Sequence, residues 1–286
     1  MIPILDLKKQ IALIREEIDA AIKEVIDSAN FILGKQVQDF ESAVCAYCGV
    51  QFAVGVSNGT DAIKLALIAL GVKPGEGVIC PAFTYYATAG AIASMGAVPV
   101  FADIEPDTFN ISPVSVEKIL TANTKGKIKA IIPVHLYGQC ADMDAILKLA
   151  KNYELKVIED TAQAFGAEYK GVKAGTIAGC GAVSFFPGKN LGAFGDAGMV
   201  LTDDQTVSEA IRLLRNQGNQ EKYYHSVLGF NHRMDTLQAA VLKVKLKYLD
   251  SWNRKRQECA CLLAEQLKGL ALKAPFVAAN LSLIHI

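Results

Sequence analysis

The sequence predicts an α/β fold with a mainly parallel central sheet covered by helices. Three observations carry the prediction. Short apolar runs alternate with helical segments from residue 52 to residue 160, the pattern of successive βαβ units. The chain has 286 residues, 51% of them apolar, enough to bury a large core without staples. The residues richest in chemistry fall where the predicted strands end, and open α/β sheets bind ligands at the carboxyl ends of their strands.

Taken in order, residues 8–28 place Ile11, Ile14, Ile18, Ile22 and Ile26 at three-to-four spacing, which predicts one amphipathic helix. A second helix is expected over 35–48. "FAVGVS" (52–57) reads as a strand and 60–70 as a helix. "GVICPAF" is the next strand, 87–95 a small-residue helix, "AVPVFAD" a strand and 114–122 a helix. "KAIIPVHL" is another strand, and helix 142–152 leads into "LKVIED" (155–160). Runs near 167–170, 181–186 and 198–202 follow without long helices between them, so that part of the sheet is expected to be of mixed direction. From about 235 onward the pattern is one long helix or two joined ones.

Composition excludes several classes. Acidic and basic residues balance at 29 each, which argues against a general polyanion surface and hence against nucleic acid. No apolar run reaches the roughly 20 residues of a membrane span. The N-terminus becomes charged too early for a secretory signal, so a cytoplasmic protein is expected. The 7 cysteines read as structural in that compartment. Cys45 and Cys48 form a lone C-x-x-C, and Cys259 and Cys261 do not complete a zinc spacing; no metal is expected.

Four loops converge on one sheet edge: "SNGTDA", "PAFTYY", "EDTAQA" and "FFPGKN". In the first, a strand ends, a glycine turns the chain, and a helix begins at Thr60 or Asp61. Its free N–H groups and the helix dipole suit a phosphate, although Ser, Thr and Asp also cap helices of no special function. Asp160 ends a buried strand. Its carboxylate suits a protonated ring nitrogen, with Gln163 three residues on for a neighbouring oxygen; a helix N-cap is the other reading. Lys189 follows Phe185, Phe186, Pro187 and Gly188. Burial there would favour the neutral amine, a nucleophile for carbonyl carbon, whereas a solvated loop lysine is the plain alternative. Ser184 precedes it on a strand heading for the same edge. Phe83, Tyr85 and Tyr86 offer a flat ring to stack on a planar ligand, or simple core packing. Jointly these are the parts that pyridoxal phosphate requires: a lysine, an acid for the pyridine nitrogen, an aromatic, and a phosphate cradle.

The segments "VGVSNGTDAIKLAL", "PAFTYYATAGAI", "GAVPVFADI", "PVHLYGQ", "VIEDTAQAFGAEYKG", "FFPGKNLGAFGDAG" and "GFNHRMDTLQAA" occur in this order. In order and spacing the chain resembles the sugar aminotransferases of the DegT/DnrJ/StrS group, over most of residues 30–255. The resemblance implies the aspartate-aminotransferase-like fold of PLP-dependent transferases. It implies that Lys189 bonds the cofactor, Asp160 pairs with the pyridine nitrogen, and Gln163 contacts the ring oxygen. Thr60, the backbone at Asp61, and Ser184 would hold the phosphate, and Tyr85 would stack. Asn231 would reach the phosphate of the other subunit, which implies a homodimer with shared active sites. "EKYYHSVLGFN" is similar to the loop that meets a nucleotide-linked keto sugar, with Tyr224 and His225 as candidate contacts; C3 and C4 both stay open as the aminated carbon, the loop inclining toward C3. The amino-acid donor implied is glutamate. Some relatives carry histidine at the lysine position and act as dehydratases; lysine here favours transamination.

On that resemblance residues 1–250 form the PLP-binding large domain with the N-terminal helices. Residues 251–286 form a linker helix and the start of a truncated small C-terminal domain, ending in an unpatterned "FVAANLSLIHI". Two alternatives stand beside the aminotransferase: another PLP enzyme on this fold, an aldolase or lyase, and a non-catalytic PLP-binding regulatory protein.

Overall fold

The computed structural model describes residues 5–122, 126–221, 223–271, 276–277 and 281–282. Helices α1 (Leu7–Ala12), α2 (Arg15–Ser28) and α3 (Lys35–Cys48) precede β1 (Phe52–Val56). Then come α4 (Gly59–Ala69), β2 (Gly77–Pro81), α5 (Ala87–Ser94), β3 (Val98–Ala102), α6 (Pro113–Ala122), β4 (Ile128–Ile131) and α7 (Met143–Asn152). Short strands β5 (Lys156–Val157), β6 (Glu159–Asp160), β7 (Glu168–Tyr169) and β8 (Val172–Lys173) lead to β9 (Cys180–Ser184) and β10 (Gly198–Thr202). The chain continues through α8 (Gln205–Arg215), β11 (Asn219–Glu221), β12 (Tyr224–His225), α9 (Thr236–Leu246), α10 (Leu249–Gln266) and β13 (Leu281–Ser282).

The strands form two ladders, β3-β2-β4-β5 and β1-β10-β9-β6. Residues 156–160 join them: β5 pairs with β4, β6 pairs with β9, and Asp160 bridges in parallel to Val134 beyond β4. The result is one α/β sheet in which β10 alone runs against its neighbours β1 and β9. Helices cover both faces. Val54, Leu65, Ile92 and Val200 pack in one apolar layer, and Phe40, Phe185, Met199 and Leu242 in the layer on the opposite side.

The strand–helix alternation over 52–160 is as the sequence predicts, and the mixed direction beyond it resides in β10. The run near 167–170 is a correction. It leaves the sheet to form a separate small ribbon in which β7 pairs with β8 and β13. The helix expected over 8–28 is also two: Leu13 ends α1, and Ile14 opens α2 with a non-helical backbone. Within α2 the buried stripe is Ile14, Ile18 and Val25, while Ile26 is exposed. Seven residues make nearly two helical turns, so Val25, not Ile26, stands above Ile18. Ile14 and Ile18 of that stripe pack on Val241 and Val244 of α9. Among the described residues no helix is long and apolar enough to cross a membrane. Cys48, Cys80, Cys140 and Cys180 are buried, and burial pushes their thiols up to about 12. Such thiols are inert as nucleophiles at neutral pH.

Candidate active site

A cavity of about 690 Å³ opens at the carboxyl ends of the strands and is lined by all four of the predicted loops. Each side chain reaches it for a local reason. Apolar residues of the 156–160 strand are drawn into the core, and the chain emerges at Asp160, which is 5% exposed. Its backbone is held from both sides: Asp160 N–H donates to the Pro133 carbonyl (2.9 Å), and His135 N–H donates to the Asp160 carbonyl (3.0 Å). One carboxylate oxygen accepts from the Ala162 amide (3.1 Å) and the other from the Thr88 hydroxyl (2.9 Å). Each oxygen keeps acceptor capacity. Burial raises the Asp160 pKa; the two hydrogen bonds and then the positive charge of Lys189 oppose the rise.

Lys189 lines the same cavity. A tight turn carries it, with the Lys189 amide donating to the Phe186 carbonyl at 2.8 Å. Burial lowers the amine below the usual lysine value, and Asp160 acts weakly the other way. Asp160 and Lys189 thus sense one another across the cavity while burial pulls both toward neutrality.

The phosphate-type end is formed by α4 and β9. Asn58 caps α4: its Oδ1 accepts the Asp61 amide at 2.8 Å, and its Nδ2 donates to the Asp61 carboxylate at 2.7 Å. The Asp61 amide is therefore engaged within the helix cap, and the first-turn amides left facing the cavity are those of Gly59 and Thr60. Ser184, at the end of β9, stands against them. A Cβ on residue 59 would lie 2.6 Å from Ser184 Cβ, so only glycine lets the helix start and the strand end approach this closely. The Asp61 carboxylate also accepts from the Ser57 hydroxyl and lies 3.1 Å from His232 Nδ1. Burial lowers the His232 pKa, Asp61 opposing.

Gln163 lines the cavity with Oε1 taken by the Tyr137 amide at 2.8 Å, which leaves its NH₂ group free of that contact. Tyr85 lies at the mouth and is 72% exposed. Phe83 instead packs on Phe109, with ring centroids 5.9 Å apart. Thr60, Asp61, Tyr85, Asp160, Gln163, Ser184 and Lys189 all line this one cavity. Asn231, Tyr224 and His225 do not: Asn231 is exposed, and Tyr224 and His225 form β12 of the exposed β11–β12 hairpin. Sequence reasoning missed Asn58, a local cap of Asp61 of a common kind, and Thr88 and His232, whose residue types are common and whose partners Asp160 and Asp61 are distant in sequence. It also missed the buried pair beneath Asp160. There His135 Nε2 lies 2.9 Å from Glu159, whose carboxylate also accepts from the Gly175 (2.8 Å) and Ala178 (2.7 Å) amides. His135 Nδ1 accepts the Ala141 amide at 3.1 Å, so the ring proton sits on Nε2 and is donated to Glu159.

The DegT/DnrJ/EryC1/StrS aminotransferase family model matches residues 12–282. The chain belongs to the DegT/DnrJ/EryC1/StrS aminotransferase family. It is 49% identical over 93% of its length to a Geobacillus stearothermophilus protein named a pleiotropic regulatory protein, covering 71% of that protein. It is 47% identical over 94% of its length to the Streptomyces venezuelae dTDP-3-amino-3,4,6-trideoxy-alpha-D-glucose transaminase, covering 69% of it. The crystal structure of S. venezuelae DesV in complex with a ketimine intermediate superimposes with a TM-score of 0.96 at 44% identity, over 99% of this chain and 76% of that one. Membership of this aminotransferase family favours the aminotransferase over the aldolase, lyase and non-catalytic readings.

Proposed function

We infer that this family member is a pyridoxal-phosphate-dependent aminotransferase acting on a nucleotide-linked keto sugar, with glutamate as amino donor. The observation that carries the reading is that Lys189 and Asp160 line one cavity, each shifted by burial toward its neutral form.

The residues fit that cofactor. Asp160 offers buried acceptor capacity for a protonated ring nitrogen, whose charge would offset the penalty of burying the carboxylate. Ser184, the Thr60 hydroxyl and the Gly59 and Thr60 amides hold the phosphate at the helix start, beside the Asp61 amide that Asn58 caps. Gln163 donates its NH₂ to the ring oxygen, and Tyr85 covers one face of the ring. When bound, pyridoxal phosphate supplies an electron sink for the carbon that loses a proton. The chain supplies the rest. Lys189 would anchor the cofactor, and its Nζ would take up and return the proton of the substrate carbon. Its lowered pKa brings it nearer the range where a base works at neutral pH. Thr88 keeps the Asp160 carboxylate oriented.

Asn231 serves the phosphate of a neighbouring copy in a homodimer with shared sites, and Tyr224 and His225 meet the nucleotide sugar. The 3-amino sugar in the name of the Streptomyces relative supports amination at C3. On this reading residues 1–250 hold the cofactor, residues 251–286 link to a second unit, and the protein works in the cytoplasm. The test is 2-oxoglutarate release from glutamate when the purified protein meets a panel of keto-sugar nucleotides. Turnover with one of them is expected. A cofactor-loaded protein that releases none with any of them, or one that never takes up the cofactor, ends the reading.

A further inference from the structure

Helix α9 buries a lysine that the reaction does not use. Lys245 is 2% exposed, and among the described residues no carboxylate lies within ion-pair distance of it. Its neighbours are the rings of Phe194 and Trp252, with centroids 5.6 and 5.9 Å from Nζ. Burial, with the charge of Arg256, brings the amine down to about 8. Burying an ammonium without an anion costs stability, and an apolar side chain of similar length would fill the same space without that cost. Packing alone therefore does not account for a lysine here. Beyond its two ring contacts it makes one hydrogen bond, from Nζ to the Gly192 carbonyl.

Gly192 closes the turn that presents Lys189. The Lys189 amide donates to the Phe186 carbonyl and the Ala193 amide to the Phe185 carbonyl, both at 2.8 Å. A Cβ on residue 192 would lie 2.2 Å from the Pro187 carbonyl oxygen. Residues 187–192 thus fold back on themselves, and whatever fixes Gly192 fixes the backbone of Lys189. Two neutral contacts flank this point: Phe194 N–H to Gln238 Oε1 at 2.8 Å, and Asn190 Nδ2 to Asn253 Oδ1 at 3.1 Å. Lys245 supplies the donor that grips the turn by a carbonyl.

We propose that Lys245 is a positioning residue for Lys189: from beneath the turn it holds the Gly192 carbonyl and so sets the angle at which the Lys189 side chain enters the cavity. The proposal rests on the reading of Lys189 as the cofactor-bearing lysine.

The experiment compares the whole wild-type protein with Lys245→Met and, as a control on the same helix, Lys243→Met, whose lysine is an exposed partner of Asp39 at 2.9 Å. Each is mixed with pyridoxal phosphate, the covalent adduct is trapped with borohydride at timed intervals across pH, and peptide mass spectrometry locates it. Thermal unfolding is followed in parallel. The wild type and Lys243→Met are expected to label at Lys189. Lys245→Met is expected to keep or raise the unfolding midpoint yet label Lys189 about 10- to 100-fold more slowly, the scale of a misplacement near 1 Å. Wild-type labelling rates in folded Lys245→Met overturn the proposal. Should Lys245→Met lose the fold, Lys245→Arg, which keeps an N–H for Gly192, decides: wild-type labelling supports the proposal, and slow labelling of folded protein overturns it. A wild type that forms no Lys189 adduct overturns the functional reading and this proposal with it.

Discussion

Lys189 and Asp160 occupy one cavity and are displaced in opposite directions by the same cause. Burial lowers the amine and raises the carboxyl, so each is closer to neutral than it would be in water, and each still feels the other's charge. Such an arrangement disfavours the cofactor-free state. It suits a ligand that is cationic where it meets Asp160 and electrophilic where it meets Lys189.

The direct consequence concerns turnover. Lys189→Arg keeps a cation at the same place but removes the amine that bonds a carbonyl and carries a proton. Transamination should fall by at least about 100-fold, the lower end of what a positioned acid–base group contributes. Steady-state release of 2-oxoglutarate checks this, with circular dichroism to show an unchanged fold.

The same residue should cost stability. In the cofactor-free protein the partly buried ammonium of Lys189 is desolvated, so Lys189→Met should stabilise the fold by about 1 kcal/mol at pH 7. The sign follows from linkage. The folded pKa lies below the ordinary 10.5, so the penalty is fully present below the folded pKa. It fades as the pH rises toward 10.5 and is absent above it, where both states are neutral. Urea unfolding at pH 7 and pH 11 should show the difference in favour of the variant shrinking toward zero.

Much of this was legible in the sequence, because strands buried on both faces read as continuous apolar runs and their ends then stand out. Asp160 and Lys189 stand out in this way, one ending "LKVIED" and one following "SFFPG". The break between α1 and α2 was not legible, since no glycine or proline marks it. The departure of 167–170 from the sheet was missed although its partner β8 is adjacent in sequence: strands of two residues carry no alternation that marks which sheet they join, and the second partner β13 lies more than a hundred residues away. Thr88, His135 and Lys245 were missed for a related reason. Their roles depend on single contacts made across the fold, to Asp160, Glu159 and Gly192, and nothing local to each residue announces its partner.

Gly59 gives a prediction about binding rather than chemistry. A methyl group there would lie 2.6 Å from Ser184 Cβ, so Gly59→Ala must push the serine or the helix start away from the cradle. Pyridoxal phosphate affinity, measured by equilibrium dialysis, should weaken about 10-fold or more, the worth of one charge-assisted hydrogen bond lost or lengthened. Pyridoxal lacking the phosphate should bind the variant and the wild type alike.

Glu159→Gln tests the floor of the site. Glu159 is fully buried, and its two oxygens accept from the His135 ring and from the Gly175 and Ala178 amides. A glutamine keeps the volume but replaces one acceptor oxygen by an NH₂ donor. At least one of those N–H groups then faces another donor, whichever way the amide is turned. With the His135 proton held on Nε2 by the Ala141 amide, the ring cannot switch tautomer without leaving that amide unpaired. The expected loss is about 2–4 kcal/mol of unfolding free energy, the scale of leaving one or two buried N–H donors without an acceptor. Because Glu159 and His135 adjoin the backbone bonds that hold Asp160, the variant should also lose affinity for pyridoxal phosphate under conditions where it remains folded. Urea unfolding and cofactor titration at one pH separate the two effects. A variant that keeps wild-type stability would show that these donors find other partners when the carboxylate is gone.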